Sequence, residues 1–296
     1  MSTPWIKAFL AYPLEAFAVA FCHYGLKIPS LDTASDLGGA VLRRLGPLCP
    51  PLERRALLNL EKAFPEKNQK ELREITEGMW DNFGRVVAEY SHLRKLAVSW
   101  DPSRITVSGR EYLREGSQPS LFFTAHYANW EVAALAIMHE GLPLMQVYRS
   151  AENPLVNHMI RRAQRQIGDT LIPSGRAGAK QLLEALRQKT AVLMLLDQRK
   201  KNGLPVPFFG YPALTAPAIG RLALRHKCPL IPVQVLRLGR TSRFEVRFFP
   251  PLPLPQQGSS QERLLVLMTA VNQHIEAWVR ERSDLWFWVH NRWKLS

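Results

Sequence analysis

His126 directly follows a short apolar run in the stretch Ser120 to Glu131, SLFFTAHYANWE. An apolar strand of this kind delivers the residues after it to its C-terminal end, where open α/β sheets gather their ligands. Imidazole has an ordinary pKa of about 6.5, so near pH 7 it is mostly neutral and can accept a proton. Asn129 can cap the helix that follows, which puts Glu131 in its first turn. From there a carboxylate can turn back toward the loop and accept a hydrogen bond from the imidazole, fixing one tautomer and sharpening the base. The same residues also have a purely structural reading: Asn129 caps, Glu131 answers the helix dipole, and His126 is a loop histidine. His126 and Glu131 are therefore the candidate catalytic pair, with that alternative open.

Other chemistries lack their residues. The chain has no GxSxG elbow for an acyl-enzyme and no HExxH or metal-spaced set of His and Cys. Gly175 to Lys180 (GRAGAK) has the wrong spacing for a phosphate loop and reads as a helix start. A base without a nucleophile or metal suits direct transfer, in which His126 removes a proton from a substrate hydroxyl that attacks an activated acyl group.

The elements that must position these residues follow from hydrophobic spacing. Residues 33 to 98 read as helical, broken at Ala63-Phe64-Pro65. Strands are expected at 120–125, 144–148, 170–172, 191–196 and 230–236, with 244–249 able to pair at an edge. Helices are expected over 129–140, from Pro154, and over 177–188, 216–227 and 261–282, the last closing the fold. Alternation of this kind predicts an α/β fold with a central, mostly parallel sheet flanked by helices, and an N-terminal helical membrane-associating region. The division expected is a membrane-associating segment, 1–30, and a catalytic domain, 31–296, helical to residue 100 and α/β from 101.

Charge narrows the partners. Lys and Arg number 39 against 25 Asp and Glu, a net charge of +14 that calls for an anionic partner such as nucleic acid, lipid phosphate, an anionic membrane or an acidic protein. Clusters at Arg161, Arg162 and Arg165, at Arg199, Lys200 and Lys201, and at Arg225 and Lys227 suit such partners, although each alone reads as a solvated face. Cys22, Cys49 and Cys228 form no CxxC, which points to a reducing compartment and no structural zinc. Residues 8 to 26 approach the length of a membrane span, but Pro13, Glu15 and His23 interrupt them, which favours an interfacial helix. Trp5, Phe9, Tyr12, Phe17 and Phe21 would suit the headgroup boundary.

His126 to Glu131 resembles the H-x4-D/E signature of glycerolipid acyltransferases, and further blocks narrow the likeness. Asn59-Leu60 through Ala63-Phe64-Pro65-Glu66 resembles the N-L-x-x-A-F-P element of the bacterial lipid A late acyltransferases. Tyr148-Arg149, Asn153-Pro154 and Arg161 match that family's next run. Asp197-Gln198, Val206 to Gly210 and Thr215 match another, and Pro232 and Arg237 fit the strand that follows. Trp286 through His290, with Arg292, Trp293 and Lys294, resemble the C-terminal tail. The blocks stand in the family's order from residue 59 to residue 294. Tyr127-Ala128 departs from them, because many members carry Phe-Gly there.

The resemblance implies an O-acyltransferase at the cytoplasmic face of the inner membrane. It would move a fatty acyl chain from acyl carrier protein, or acyl-CoA, to a hydroxyl of a lipid A precursor, with no metal or organic cofactor. His126 is then the general base and Glu131 its orienting partner. Arg149 would meet the thioester oxyanion or an acceptor phosphate. Asn153 and Arg161 would also lie on the substrate, Arg161 as a phosphate contact. Asp197 would fix the loop or an arginine, and an Arg–Asp structural pair is the alternative. Rival acceptors are a mannosylated phosphoinositide, a lysophospholipid or an amino-acid lipid. An inactive lipid-binding relative is a further alternative, opposed by the intact His126 and Glu131. A nucleic-acid-binding protein is the rival from another class, but the basic residues are scattered and no helix-turn-helix, RNP or zinc-finger pattern is present.

Overall fold

The computed structural model describes residues 11–98, 100–114, 119–148, 151–165, 170–173 and 175–293. The expected α/β architecture is present. Among the described residues seven strands form one sheet: β1 (Ile105–Ser108), β2 (Leu121–Thr124), β3 (Leu144–Tyr148), β4 (Thr170–Pro173), β5 (Ala191–Leu195), β8 (Leu230–Arg237) and β9 (Phe244–Phe248). Their spatial order is β1-β9-β8-β2-β5-β3-β4. Only the β8–β9 junction is antiparallel. β2 and β8 are buried along their whole length, covered on both faces, and the long polar side chains within them, Gln234 and Arg237, are paired with Glu281 and Glu89. The 244–249 strand lies one place in from the edge, because residues 105–108 form a strand outside it.

A helical layer precedes the sheet: α1 (Tyr12–Gly25), α2 (Leu31–Leu45), α3 (Pro50–Ala63), α4 (Gln69–Glu89) and α5 (Leu93–Val98). Phe64 ends α3 at the predicted break, and Asn68 opens α4 with a capping box closed by Glu71. α2 and α4 cross so closely that a Cβ on Gly84 would lie 2.1 Å from the Gly38 carbonyl oxygen. Within the sheet region lie α6 (Glu131–His139), α7 (Pro154–Arg165), α8 (Arg176–Arg187), α9 (Ala218–His226) and α10 (Ser260–Glu281). A separate hairpin of β6 (Leu204–Phe208) and β7 (Tyr211–Thr215) turns at Phe209 and Gly210, both with positive φ as a two-residue type I′ turn needs.

The sequence predicts that α10 closes the fold, but it does not. The chain continues through Leu285 and runs back beneath the sheet's C-terminal edge. The Leu285 carbonyl accepts from Ala128 N–H at 2.9 Å, and the His126 carbonyl accepts from Phe287 N–H at 3.1 Å. Trp286, Trp288 and Trp293 are buried there against Phe208 and Phe209. The tail thus forms the floor under the His126 loop.

At the other end α1 buries none of its side chains and exposes Leu14, Phe17, Phe21 and Tyr24. It is held by Asn153, whose Nδ2 donates to the Tyr12 carbonyl at 2.9 Å and to Glu15 at 3.0 Å. Among the described residues no helix is long and apolar enough to cross a membrane. Trp5 and Phe9 lie outside the described residues.

Candidate active site

The site is assembled by the pairing of two adjacent parallel strands. Thr124 of β2 stands opposite Leu195 of β5. Two residues beyond each partner, the chain emerges as His126 on one strand and Asp197 on the other. His126 Nδ1 lies 2.8 Å from Asp197 Oδ1, and the His126 backbone N–H donates to Asp197 Oδ2 at 2.8 Å. Trp286 Nε1 donates to the same Oδ2, also at 2.8 Å.

Asp197 is fully buried, whereas 18% of the His126 side chain remains exposed. Burial alone would raise the Asp197 carboxyl. The charge and hydrogen bond of His126, with His290 nearby, outweigh burial and hold it well below the usual carboxylate range. An ionised acceptor at Nδ1 keeps the imidazole proton there and leaves the Nε2 lone pair facing outward. That is the tautomer a general base requires.

Glu131 does not make the expected hydrogen bond to His126, whose Nδ1 meets Asp197 instead. The Glu131 carboxylate turns away from His126 and accepts from the Tyr90 hydroxyl, from Trp130 Nε1 at 3.1 Å and from Gln164 Nε2 at 3.3 Å. Asn129 stands just ahead of the N-cap, which is Trp130, and its side-chain oxygen accepts from Glu131 N–H at 3.2 Å. The first helical turn then points Glu131 at the C-terminal end of α4 and at α7 instead of back into the loop. Desolvation raises the Glu131 carboxyl despite those three donors. Glu131 therefore fixes Trp130, whose ring meets His126 edge-on at 4.9 Å, and ties α7 to the loop.

The other expected residues divide. Asp197, expected on the loop or on an arginine, does fix the loop, but the side chain it orients is His126. Asn153 turns its buried side chain to α1 and to the start of α7, its Oδ1 accepting from Leu155 N–H at 3.0 Å. Arg161 lies 5.5 Å over the Tyr148 ring. With Pro154, Asn157, His158, Arg162 and Arg165 it lines a cleft of about 620 Å³ along α7, a concentration of positive charge suited to an anion. Arg149 lies outside the described residues.

The sequence assigns no role to two residues that the fold brings to His126. His290, from the tail, packs its ring 4.6 Å from that of His126 at 74°. Gln198 Nε2 lies 3.3 Å from His126 Nε2 and 3.5 Å from His290 Nε2. The ligand atoms of His126, Asp197 and His290 fall within 4.8 Å of one another. Asp197 already accepts three N–H groups, so two imidazoles are what the cluster could offer a metal, short of the four ligands of a structural zinc.

Behind the loop lies a second, fully buried assembly. Glu89 receives Arg237 Nη1 and Nη2 at 2.5 and 2.9 Å, Ser35 at 2.8 Å, Ser242 at 3.0 Å and Asn129 Nδ2 at 2.8 Å. Asn82 accepts from Arg237 Nε and donates to the Ala128 and Leu285 carbonyls, both at 3.3 Å. The His126 loop is thereby gripped from the rear through Ala128 and Asn129.

Comparison with known proteins gives the chain a family. The sequence model of the bacterial lipid A biosynthesis acyltransferases matches residues 9–295. The chain is 23% identical to the lipid A biosynthesis myristoyltransferase of Escherichia coli (strain K12) over 258 residues, which are 84% of this chain and 78% of that one. It is 20% identical to the lipid A biosynthesis acyltransferase of Haemophilus influenzae over 240 residues, 79% of this chain and 73% of that one. Among solved structures it is similar to the 1-acyl-sn-glycerophosphate acyltransferase PlsC of Thermotoga maritima, at 13% identity and a TM-score of 0.37, over 89% of this chain and 97% of that one.

Proposed function

The chain belongs to the bacterial lipid A biosynthesis acyltransferase family, and on that premise we propose that it moves a fatty acyl chain from an acyl carrier protein thioester to a hydroxyl of a lipid A precursor, with His126 as general base. The acyltransferase identity follows from the family; the donor, the acceptor hydroxyl and the residue roles are our reading. The observation that carries it is the 2.8 Å contact between His126 Nδ1 and buried Asp197, which leaves Nε2 as the basic atom.

In this reading the acceptor hydroxyl gives its proton to His126 Nε2 as its oxygen bonds to the thioester carbon. Asp197 stabilises the imidazolium that forms, without taking the proton itself. Collapse of the tetrahedral intermediate breaks the carbon–sulfur bond, and the thiolate takes the proton back from His126. Positioned general-base catalysis supplies roughly 10²–10⁴-fold, so alignment and oxyanion stabilisation must add the rest.

Arg161 and the α7 cleft suit the phosphates of the acceptor, and Arg149 is assigned to the same anion. The basic surface also suits an acidic carrier protein. Residues 1–30 are proposed as the membrane-associating segment and 31–296 as the acyltransferase domain, at the cytoplasmic face of the inner membrane. The apolar side chains that α1 presents outward, and its polar tether through Asn153, support an interfacial position.

The test is mass-spectrometric acyl transfer by purified wild type and His126→Ala. Acyl carrier protein thioesters of several chain lengths, and acyl-CoA, would be offered with a tetraacyl lipid A precursor. A product heavier by one acyl chain, absent in the variant, is the expected result. Thioester consumed only with phospholipid acceptors would overturn the acceptor, and turnover with acyl-CoA alone would overturn the donor. No turnover by well-folded wild type would overturn the mechanism.

A further inference from the structure

The transfer needs a hydrogen-bond donor at the carbonyl oxygen where charge develops, a requirement that rests on the acyl-transfer reading above. The usual source, backbone N–H groups in the loop after the strand, is largely spent. The N–H groups of His126, Tyr127, Ala128 and Glu131 go to Asp197, the Ala125 carbonyl, the Leu285 carbonyl and Asn129. Nearby side-chain donors are also committed: Trp130 Nε1 to Glu131, Trp286 Nε1 to Asp197 and Asn129 Nδ2 to Glu89.

Gln198 differs. It is half-buried, directly follows Asp197, and aims its side-chain amide at the atom where the acceptor hydroxyl must sit. Its contacts there, 3.3 Å to His126 Nε2 and 3.5 Å to His290 Nε2, are longer than the 2.8 Å bonds that fix Asp197. An incoming hydroxyl displaces the amide from His126 more cheaply than it could break those bonds.

We propose that Gln198 is a catalytic residue: its side-chain amide yields His126 Nε2 to the acceptor hydroxyl and donates to the thioester oxyanion, with His290 setting its direction. In the step, the hydroxyl proton passes to His126 Nε2, the new oxygen–carbon bond forms, and the carbonyl π pair moves onto oxygen, where Gln198 Nε2–H meets it. Collapse returns that pair, expels the thiolate and lets it take the proton from His126. The amide is neutral throughout, so no further co-reactant is needed.

The experiment compares steady-state kinetics of wild type, Gln198→Ala, Gln198→Glu and His290→Phe, using the donor and acceptor that wild type accepts. Thermal unfolding of each variant serves as a folding control. Loss of one oxyanion donor is expected to lower kcat by about 10²–10³-fold for both Gln198 variants. Donor and acceptor KM should stay within about threefold and unfolding should be unchanged, because uniform binding is untouched. His290→Phe keeps a ring but removes the nitrogen facing Gln198, and a smaller loss, about tenfold, is expected. If Gln198→Ala keeps kcat within about threefold of wild type, or loses only in KM, the proposal is overturned. An intact Gln198→Ala beside an Arg149→Ala that loses kcat would give the oxyanion to Arg149. Wild type inactive with every donor and acceptor would instead overturn the acyl-transfer reading, and this one with it.

Discussion

The two sides of the His126 loop are built on different terms. Behind it, Glu89 is saturated: five hydrogen bonds of 2.5 to 3.0 Å hold one carboxylate among Arg237, Ser35, Ser242 and Asn129, all buried. In front, Asp197 is as firmly held, but the groups beyond it loosen outward, through a part-exposed His126 to the longer contacts of Gln198. A carboxylate whose lone pairs all meet fixed donors is framework. One that spends an oxygen on an imidazole whose other nitrogen has only a long, displaceable contact can pass its charge to a reacting atom. On this criterion Glu89 and Glu131 belong with the framework and Asp197 with the chemistry.

The comparison breaks most visibly at Asp197. Asp197→Asn keeps the shape but sets an amide N–H against His126 or against Trp286, so the imidazole loses its fixed tautomer. A fall in kcat of about 10²–10⁴-fold is expected, with KM little changed. Wild-type folding should carry a matching signature. The folded Asp197 carboxyl titrates below its unfolded value of about 3.9, so its ionised form stabilises the fold above that pH. That contribution drains away as pH falls from about 4 toward the folded value, and Asp197→Asn should unfold with less acid dependence there. An equal slope in both proteins would remove Asp197 from the front-side group.

Glu89→Gln addresses the rear. It leaves the buried Arg237 guanidinium without its counter-charge, and a loss of about 3–5 kcal/mol in urea unfolding is expected. Adding Arg237→Met should restore part of this, because the unpaired charge goes with it. A single variant as stable as wild type would mean that the rear network carries no load.

Asp197 and Glu131 also show what a sequence can reveal. The alternation of strands and helices from residue 120 was legible because most of its strands are short, largely apolar runs, whereas 105–108 and the 204–215 hairpin, short and mixed with polar residues or Pro, were not. His126 was legible as the residue after such a strand. Its partner was not, because H-x4-E places Glu131 nearby in the chain, and spacing alone does not say which way a side chain leaves a helix's first turn. A signal for Asp197 existed. It follows the apolar run 191–196 as His126 follows 120–125, and two adjacent parallel strands bring such residues together. The order of the strands, which decides adjacency, is not written locally. His290 lies 164 residues from His126, on a tail without periodicity, and only the packing of the tryptophans places it.

Glu131→Gln should have a milder effect than either change above. The amide keeps the volume and can still accept from Tyr90 and Trp130, so Trp130 stays against His126; a loss of kcat within about tenfold is expected, well short of Asp197→Asn. Its pH dependence has the opposite sign to that of Asp197. Burial raises the folded Glu131 carboxyl above its unfolded value of about 4.3, so its ionisation costs the fold stability as pH rises through the folded value. Glu131→Gln removes that cost, and its stability relative to wild type should grow as pH increases from about 4.3. A kcat loss as large as that of Asp197→Asn would return Glu131 to the catalytic group.

The smallest effect is expected at the seam between the two sides. Ala128 adopts φ 47°, a left-handed conformation that favours glycine. It is held from both directions, its N–H by Leu285 and its carbonyl by Asn82. Ala128→Gly would relieve a left-handed penalty of about 1–2 kcal/mol. Against that, the freer unfolded chain costs about 0.4–1 kcal/mol and a lost buried methyl about 0.8 kcal/mol. The terms nearly cancel, so a change in unfolding free energy of less than about 1 kcal/mol is expected, with kcat unaltered because the same two hydrogen bonds still set the loop. A drop in kcat at unchanged stability would show that the alanine side chain itself helps to aim His126, and the boundary between framework and chemistry would then move back by two residues.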